Sequence, residues 1–323
     1  MRKLFLILTC LGMLFVSPAS HGGLLEKPIP APDISTTGEW LNSAPLTAKD
    51  IKGKVALVDF WTYSCINCLR TLPYIKSWYQ QYKDKGFVVI GVHAPEFDFE
   101  KNKANVEKAI KRFEITYPVV QDNDHLLWKR FSNQYWPAHY LINKNGKIIY
   151  THFGEGQYDA TEKAIRDALN ETGEKAILNG SVEGFSTNQT PETYLGTARS
   201  ERLVKAWDDL AGDNWTLVGD WKRTSEYSEA KVEGASLKIH FRGGKVFLVL
   251  GTADSKPINA RILFDGKPAT DVAGKDVKDG EVTVTDHRLY ELIDLKKNSE
   301  GVLEVSATLP GLRAYAFTFG SSF

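Results

Sequence analysis

The sequence predicts two domains of different class: an α/β domain with a mixed sheet flanked by helices, then an all-β, jelly-roll-like sandwich. Apolar strand-like runs and amphipathic helical stretches alternate from about residue 34 to 172. Short strands punctuated by Gly and Pro fill the chain beyond about 192. A polar stretch with Ser186, Thr187, Asn188, Gln189 and Thr190 separates the two. The chain of 323 residues is long enough for two cores. The resulting division is a leader over 1–20, an α/β domain over 31–172, a linker over 173–191 and the sandwich over 192–323.

Val55–Trp61 is continuously apolar and reads as a strand buried on both faces. After it, Cys68, Leu72, Ile75, Tyr79 and Tyr82 recur at helical spacing and form one buried stripe. Phe87–Val92 is a second strand, and a helix with Lys and Glu on its outer face runs from Glu100 to about Phe113. A short strand at Val119-Val120 and a helix from Asp124 to Phe131 follow. Tyr140–Ile142 and Ile148–Phe153 flank the turn Asn143–Gly146 as a hairpin. Asp159-Ala160-Thr161-Glu162 has the pattern of a capping box, opening a last helix to about Asn170. In the second domain a short helical piece is expected over Pro191–Arg202. Strands follow at Leu237–Phe241, Val246–Leu250, Ile262–Phe264, Leu303–Ala307 and Tyr315–Phe319, with Asp265-Gly266 as a turn.

Formal charge balances at zero, which excludes nucleic acid and anionic membrane surfaces as evident partners. The first residues differ from the rest. Arg2-Lys3, an apolar stretch from Leu4 to Val16 and small residues to Ser20 form a secretory signal, too short for a spanning helix of roughly 20 residues. A periplasmic or other extracytoplasmic location is expected, with an uncleaved anchor as the alternative. Of the three cysteines, Cys10 would leave with the signal. Cys65 and Cys68 remain. As a staple they would close a tiny loop that constrains the unfolded chain little. Redox exchange is the stronger reading.

Thiol chemistry needs a thiolate, which a helix N-terminus stabilises through its unpaired N–H groups. Cys65 sits at such a start, accessible, while Cys68 belongs to the buried stripe. The segment Val58-Asp59-Phe60-Trp61-Thr62-Tyr63-Ser64-Cys65-Ile66-Asn67-Cys68 resembles the thioredoxin-superfamily active site. Residues 31–171 look like the TlpA-like exported thiol–disulfide oxidoreductases. The Phe-Trp before the CxxC, the added strand and helix over 87–113, and Trp136-Pro137 before the last hairpin all match. Thr190–Gly196 and Ala314–Gly320 resemble the C-terminal half of DipZ-type proteins, a thioredoxin-like domain followed by a carbohydrate-binding-module-like sandwich.

With that resemblance, Cys65 is the nucleophile and Cys68 the resolving thiol. Asp59 matches the buried acid that accepts the Cys68 proton, and Pro137 the cis-proline of the loop facing the sulfurs. Glu96 is a second acid or, equally, a helix-entry carboxylate. Trp61, Tyr63 and Trp136 are expected to wall the cleft, with core packing an equal explanation for Trp61. Thr71 stands where some TlpA-like reductases have Glu. No cofactor or metal is implied beyond the redox-active Cys65–Cys68 pair. The partners implied are client proteins with disulfides or thiols, and a separate membrane thiol electron donor of the CcdA/DsbD type. Reduction of clients is the favoured direction, with oxidation or isomerisation as the alternative.

Three rivals come from other classes. Thr62-x-x-Cys65 mimics part of a peroxiredoxin signature, but Val58 stands where that signature has proline. A copper-chaperone-like protein would use a wider cysteine spacing and a distant His, for which His139 is the candidate. A glycan-binding or docking sandwich could stack sugars on Trp207, Trp215, Trp221, Tyr227 or Tyr290, although sandwich aromatics are usually core.

Overall fold

A β-branched and aromatic run flanked by polar turns has one stable place, the middle of a sheet. Val55–Trp61 occupies it, with every residue buried. The computed structural model describes residues 21–172, 175–176 and 188–321. The expected leader over 1–20 and most of the linker lie outside the described residues.

The first domain contains strands β1 (His21–Pro30), β2 (Trp40–Leu41), β3 (Val55–Trp61), β4 (Phe87–His93), β5 (Val119–Gln121), β6 (Ala138–Ile142) and β7 (Lys147–Phe153). They form one sheet in the order β1-β7-β6-β3-β4-β5-β2. The sheet is mixed: β3, β4 and β5 are parallel, whereas β6, β7 and β1 add antiparallel on one side and β2 on the other. Its helices are α1 (Ala48–Ile51), α2 (Ile66–Tyr82), α3 (Lys103–Arg112), α4 (Leu126–Arg130) and α5 (Tyr158–Leu169). One face of the sheet packs Leu57, Trp61, Leu141 and Tyr150 against α2, α3 and α5. The other packs Val58, Phe60, Ile90 and Tyr140 against Leu127 and Phe131.

Several boundaries differ from the pattern reading. Residues 21–30, ahead of the expected domain, form a strand: β1 pairs with β7 from His21 onward, ten residues before the expected start at 31. Pro28 and Pro30 are tolerated because this is an edge strand with a bulge between Leu24 and Ile29. The helix expected from Glu100 starts at Lys103 instead, with Asn102 as its N-cap, and a 3₁₀ turn covers Asp98–Lys101. The predicted capping box at Asp159 does not form. Helix α5 begins at Tyr158 after Gln157, and Glu162 accepts hydrogen bonds from the Tyr82 hydroxyl and the Ala176 amide.

The second domain is all-β, with eleven strands and every strand pair antiparallel. They are β8 (Thr193–Tyr194), β9 (Trp215–Val218), β10 (Trp221–Arg223), β11 (Ser228–Ala230), β12 (Ser236–Thr252), β13 (Ile258–Phe264), β14 (Lys267–Pro268), β15 (Val277–Lys278), β16 (Glu281–Val284), β17 (Arg288–Ala307) and β18 (Leu312–Gly320). The pairing runs through one sheet because β12 and β17 are long enough to change neighbours. The first half of β12 pairs with β9, and after a bulge at Gly243–Lys245 its second half pairs with β18. The helical piece expected over Pro191–Arg202 is replaced by strand β8. Thr193 and Tyr194 pair with Phe317 and Ala316, and Gly196 lies against the Ser225-Glu226 backbone, where a Cβ would collide.

The two domains share an apolar seam. Ile66 and Phe97 of the first pack with Phe247, Val249, Leu289 and Tyr315 of the second. Beside it, Arg70 is buried, paired with Glu155 at 3.2 Å, and donates to the Phe319 carbonyl across the seam. A cavity of about 380 Å³ opens between α2 and the second domain, lined by Ile66, Leu69, Arg70, Phe247 and Leu289 among others.

Candidate active site

Strand β3 ends at Trp61, and a turn over 62–64 delivers Cys65 to the start of α2. Cys65 is the N-cap, in extended geometry at φ −81° and ψ 113°, and its Sγ accepts the Cys68 N–H at 3.3 Å. A sulfur thus takes one of the unpaired N–H groups that Ser or Asp would ordinarily cap. Both cysteines are free thiols, Cys65 half-buried and Cys68 fully buried. Thr71 donates to the Cys68 carbonyl at 2.7 Å, so it acts on the helix backbone.

The electrostatics differ from the expectation of a lowered Cys65 pKa. Burial pushes the Cys65 thiol up, the neighbouring Cys68 thiol pulls it back, and the carboxylates of Glu192 and Glu96 push it up again. Burial, the hydrogen bond to Cys65 and the charge of Cys65 hold Cys68 well above the usual thiol range, with Asp59 adding to them. The physical reason is the second domain, which covers the helix start and brings a carboxylate to it.

Asp59 lies on β3 with no exposed surface. His139 Nε2 is 3.2 Å from its Oδ1, without the alignment of a hydrogen bond. The Trp136–Pro137 peptide bond is cis, and β6 begins directly after it beside Phe60. Trp136 donates from Nε1 to the Ala94 carbonyl and packs on Trp128. Of the expected cleft walls, Trp61 is wholly buried in the core, edge-on to His93, so it cannot line a cleft. Tyr63 is also buried, stacked on His93.

Glu96 sits at the domain boundary. Arg199 pairs with its Oε1 at 2.7 Å, and the Tyr194 hydroxyl lies 2.7 Å from that same oxygen and 2.9 Å from Glu192 Oε2. Arg199 also lies over the Tyr194 ring, its guanidinium carbon 3.7 Å from the centroid. Although Glu192 is an exposed residue, protein surrounds its carboxyl. That burial, then the charge of Glu96, raises its pKa.

Sequence reasoning missed this cluster, because Glu96 lies about a hundred residues from Tyr194 and Arg199. It also missed Glu100, read as a helix start. Glu100 is fully buried: Oε2 accepts the Glu96 and Phe97 amides at 2.6 and 3.1 Å, and Oε1 accepts the Ser64 hydroxyl at 2.6 Å. Burial first, then the charge of Glu96, raises its pKa to about 7. The findable signal was an acid at the third position of a short turn, a capping pattern that here ties two active-site loops together.

Among the described residues no group of three His, Cys, Asp or Glu side chains is placed to hold a metal ion. Of the aromatics considered for sugar stacking, Trp215 and Tyr290 are core, whereas Trp207 is 65% exposed.

Two family models match end to end, "Redoxin" over residues 27–169 and "Thioredoxin like C-terminal domain" over 190–320. The chain thus carries a redoxin domain followed by a thioredoxin-like C-terminal domain. Proteins named thiol–disulfide oxidoreductases are among those similar to it. Protein DipZ of Mycobacterium tuberculosis is 33% identical over 317 residues, covering 92% of this chain and 44% of that protein. The chain therefore spans less than half the length of that relative. Thiol-disulfide oxidoreductase YkuV of Bacillus subtilis is 29% identical over 143 residues, covering 44% of this chain and 96% of that protein. A solution structure of a thiol:disulfide interchange protein from Bacteroides sp. aligns with a TM-score of 0.37 and 27% identity, covering 46% of this chain and 94% of that one. The layout of thioredoxin-like domain followed by C-terminal β domain runs through the whole described chain.

Proposed function

We propose that this chain is an exported thiol–disulfide oxidoreductase, which exchanges the Cys65/Cys68 dithiol with disulfides of client proteins in an extracytoplasmic space. The observation that carries the reading is the Cys65 Sγ at the start of α2, capping the Cys68 amide. In the forward reaction the Cys65 thiolate attacks a client disulfide. A Cys65–client S–S bond forms, and the second client sulfur leaves as a thiolate. Cys68 then attacks Cys65 Sγ, closing Cys65–Cys68 and releasing the remaining client thiolate. Asp59, lying beneath Cys68, is the acid proposed to take its proton, and the cis-Pro137 loop is proposed to receive the client strand.

Net reduction is the favoured direction, with electrons restored by a membrane thiol donor of the CcdA/DsbD type. Strong oxidants owe their potential to a stabilised thiolate. Here burial and two carboxylates work against the Cys65 thiolate. The second domain is proposed to wall the client site and dock partners, with exposed Trp207 the aromatic best placed to meet a glycan.

Redox titration of the mature protein against glutathione tests the reading, together with a Cys68→Ser variant that traps clients as mixed disulfides. A potential near about −270 mV supports reduction, and one above roughly −180 mV reverses the direction. No disulfide-linked client, combined with no insulin reduction, would end the assignment.

A further inference from the structure

Strand register sets three ionisable residues side by side beneath the redox site. Asp59 on β3 is opposite His139 on β6, and His139 is opposite His152 on β7. All three are essentially without exposed surface, and the two imidazole rings stack with centroids 5.9 Å apart. The residues two positions along each strand, Leu57, Leu141 and Tyr150, pack on the α2 and α5 face. Alternation therefore puts the row on that same face, under the helix that carries Cys68. The row ends at the sheet edge, where β1 passes His152 with Gly22; a Cβ there would collide with His152 Nδ1.

An apolar core gains nothing from these residue types. A buried charge or unpaired polar group costs several kcal/mol unless it is compensated. Neither carboxylate oxygen of Asp59 and neither ring nitrogen of His139 has a hydrogen-bond partner among the described residues. Among the described residues their mutual contact is the one close polar pairing of either side chain. A core histidine kept for structure would instead be anchored by a hydrogen bond to backbone or hydroxyl.

Resting on the exchange reading above, we propose that Asp59, His139 and His152 form a buried proton relay for Cys68, in which His139 is the positioning residue that fixes the Asp59 carboxyl. In the resolving step the Cys68 S–H bond breaks and its proton moves to the Asp59–His139 pair. The Cys68 sulfur bonds to Cys65 Sγ, the Cys65–client S–S bond breaks, and the client sulfur leaves with the electron pair. The proton leaves to solvent after the client has gone. His152 limits how far the charge spreads. Burial and the neighbouring His139 hold its pKa down to about 4, while the backbone at Gly154 and Glu155 favours its charged form. The other ionisable groups around the row are Cys68 and Tyr117, which interact with Asp59, and the Arg70–Glu155 pair with Tyr158 at the β7 end.

The test uses the reduced full chain with 5,5′-dithiobis(2-nitrobenzoate), following thionitrobenzoate release in stopped flow between pH 5 and 9. The first release reports attack by Cys65, and the second reports resolution by Cys68. His139→Gln should slow the second phase about tenfold at pH 7 and move its pH inflection up by about one unit. The first phase should stay within twofold. His152→Gln should shift the inflection in the same direction but less. Equal slowing of both phases, or an unmoved inflection in folded His139→Gln, overturns the relay. If the variant does not fold, ring titration of His139 by NMR in the wild type decides. A pKa that differs between the dithiol and disulfide forms supports the relay, and an unchanged one overturns it. A wild-type protein that never gives the second release overturns the exchange reading itself, and the relay with it.

Discussion

The Tyr194 hydroxyl stands between two carboxylates, 2.7 Å from Glu96 and 2.9 Å from Glu192, and its single proton can serve one of them at a time. Arg199 settles part of the charge by pairing with Glu96. The remaining negative potential falls on the Cys65 sulfur. Burial and the charge of Glu96 raise the Glu192 pKa to about 8, so its charge bears on Cys65 above that pH. Glu192→Gln removes that charge, and the thiolate fraction in alkaline solution increases. Iodoacetamide should alkylate Cys65 roughly threefold faster at about pH 9, with little change at pH 6. A slower reaction would mean that Glu192 orders the site rather than charging it.

Glu100 makes stability depend on pH. Its folded pKa, about 7, lies above the ordinary value of 4.5, so the folded state holds a proton that the unfolded chain has released. Stability from this group is complete below pH 4.5 and falls as pH rises toward 7. The full effect is on the order of 1–3 kcal/mol, since one pKa unit corresponds to about 1.4 kcal/mol. Urea titrations from pH 4 to 8 should show this decline in the wild type and a flatter profile in Glu100→Gln.

Arg70 joins the two domains from a buried position, through Glu155 and the Phe319 carbonyl. Gly320 leaves the room it needs, since a Cβ there would collide with Arg70 Nη2. Arg70→Met removes the guanidinium from the largely covered Glu155 side chain and from the Phe319 carbonyl. The loss should be about 3 kcal/mol, read from the urea midpoint at constant slope.

Gly22 admits β1 to the sheet edge because it has no side chain to meet His152. Gly22→Val should cost roughly 1–3 kcal/mol through overpacking. Hydrogen exchange should then quicken along β1 and the outer edge of β7 more than in β3.

What the sequence made legible was local. The apolar run of β3 and the stripe Cys68, Leu72, Ile75 carry their own periodicity, so strand, helix start and cysteine pair could be placed from neighbours alone. Strand β1 was hidden because Pro28 and Pro30 read as coil unless the edge position is known. Strand β8 was hidden for another reason: Thr193 and Tyr194 become a strand only by pairing with Phe317 and Ala316. The row of Asp59, His139 and His152 depends on the register of three strands distant in sequence. Asp59 was legible from its apolar flanks, but its neighbours were not. Glu192 acts on the Cys65 sulfur, and Arg199 on Glu96, only because the second domain packs against Ile66, which no periodicity encodes.

Ile66, one residue from Cys65, is also a brick in the wall shared with Phe247 and Tyr315. The halves therefore cannot come apart quietly: separating them strips apolar cover from the very turn that carries the sulfurs. Calorimetry should record one merged heat-absorption peak rather than two. Damage deep in the β half, far from any thiol, should silence the chemistry at the same temperature at which that half melts.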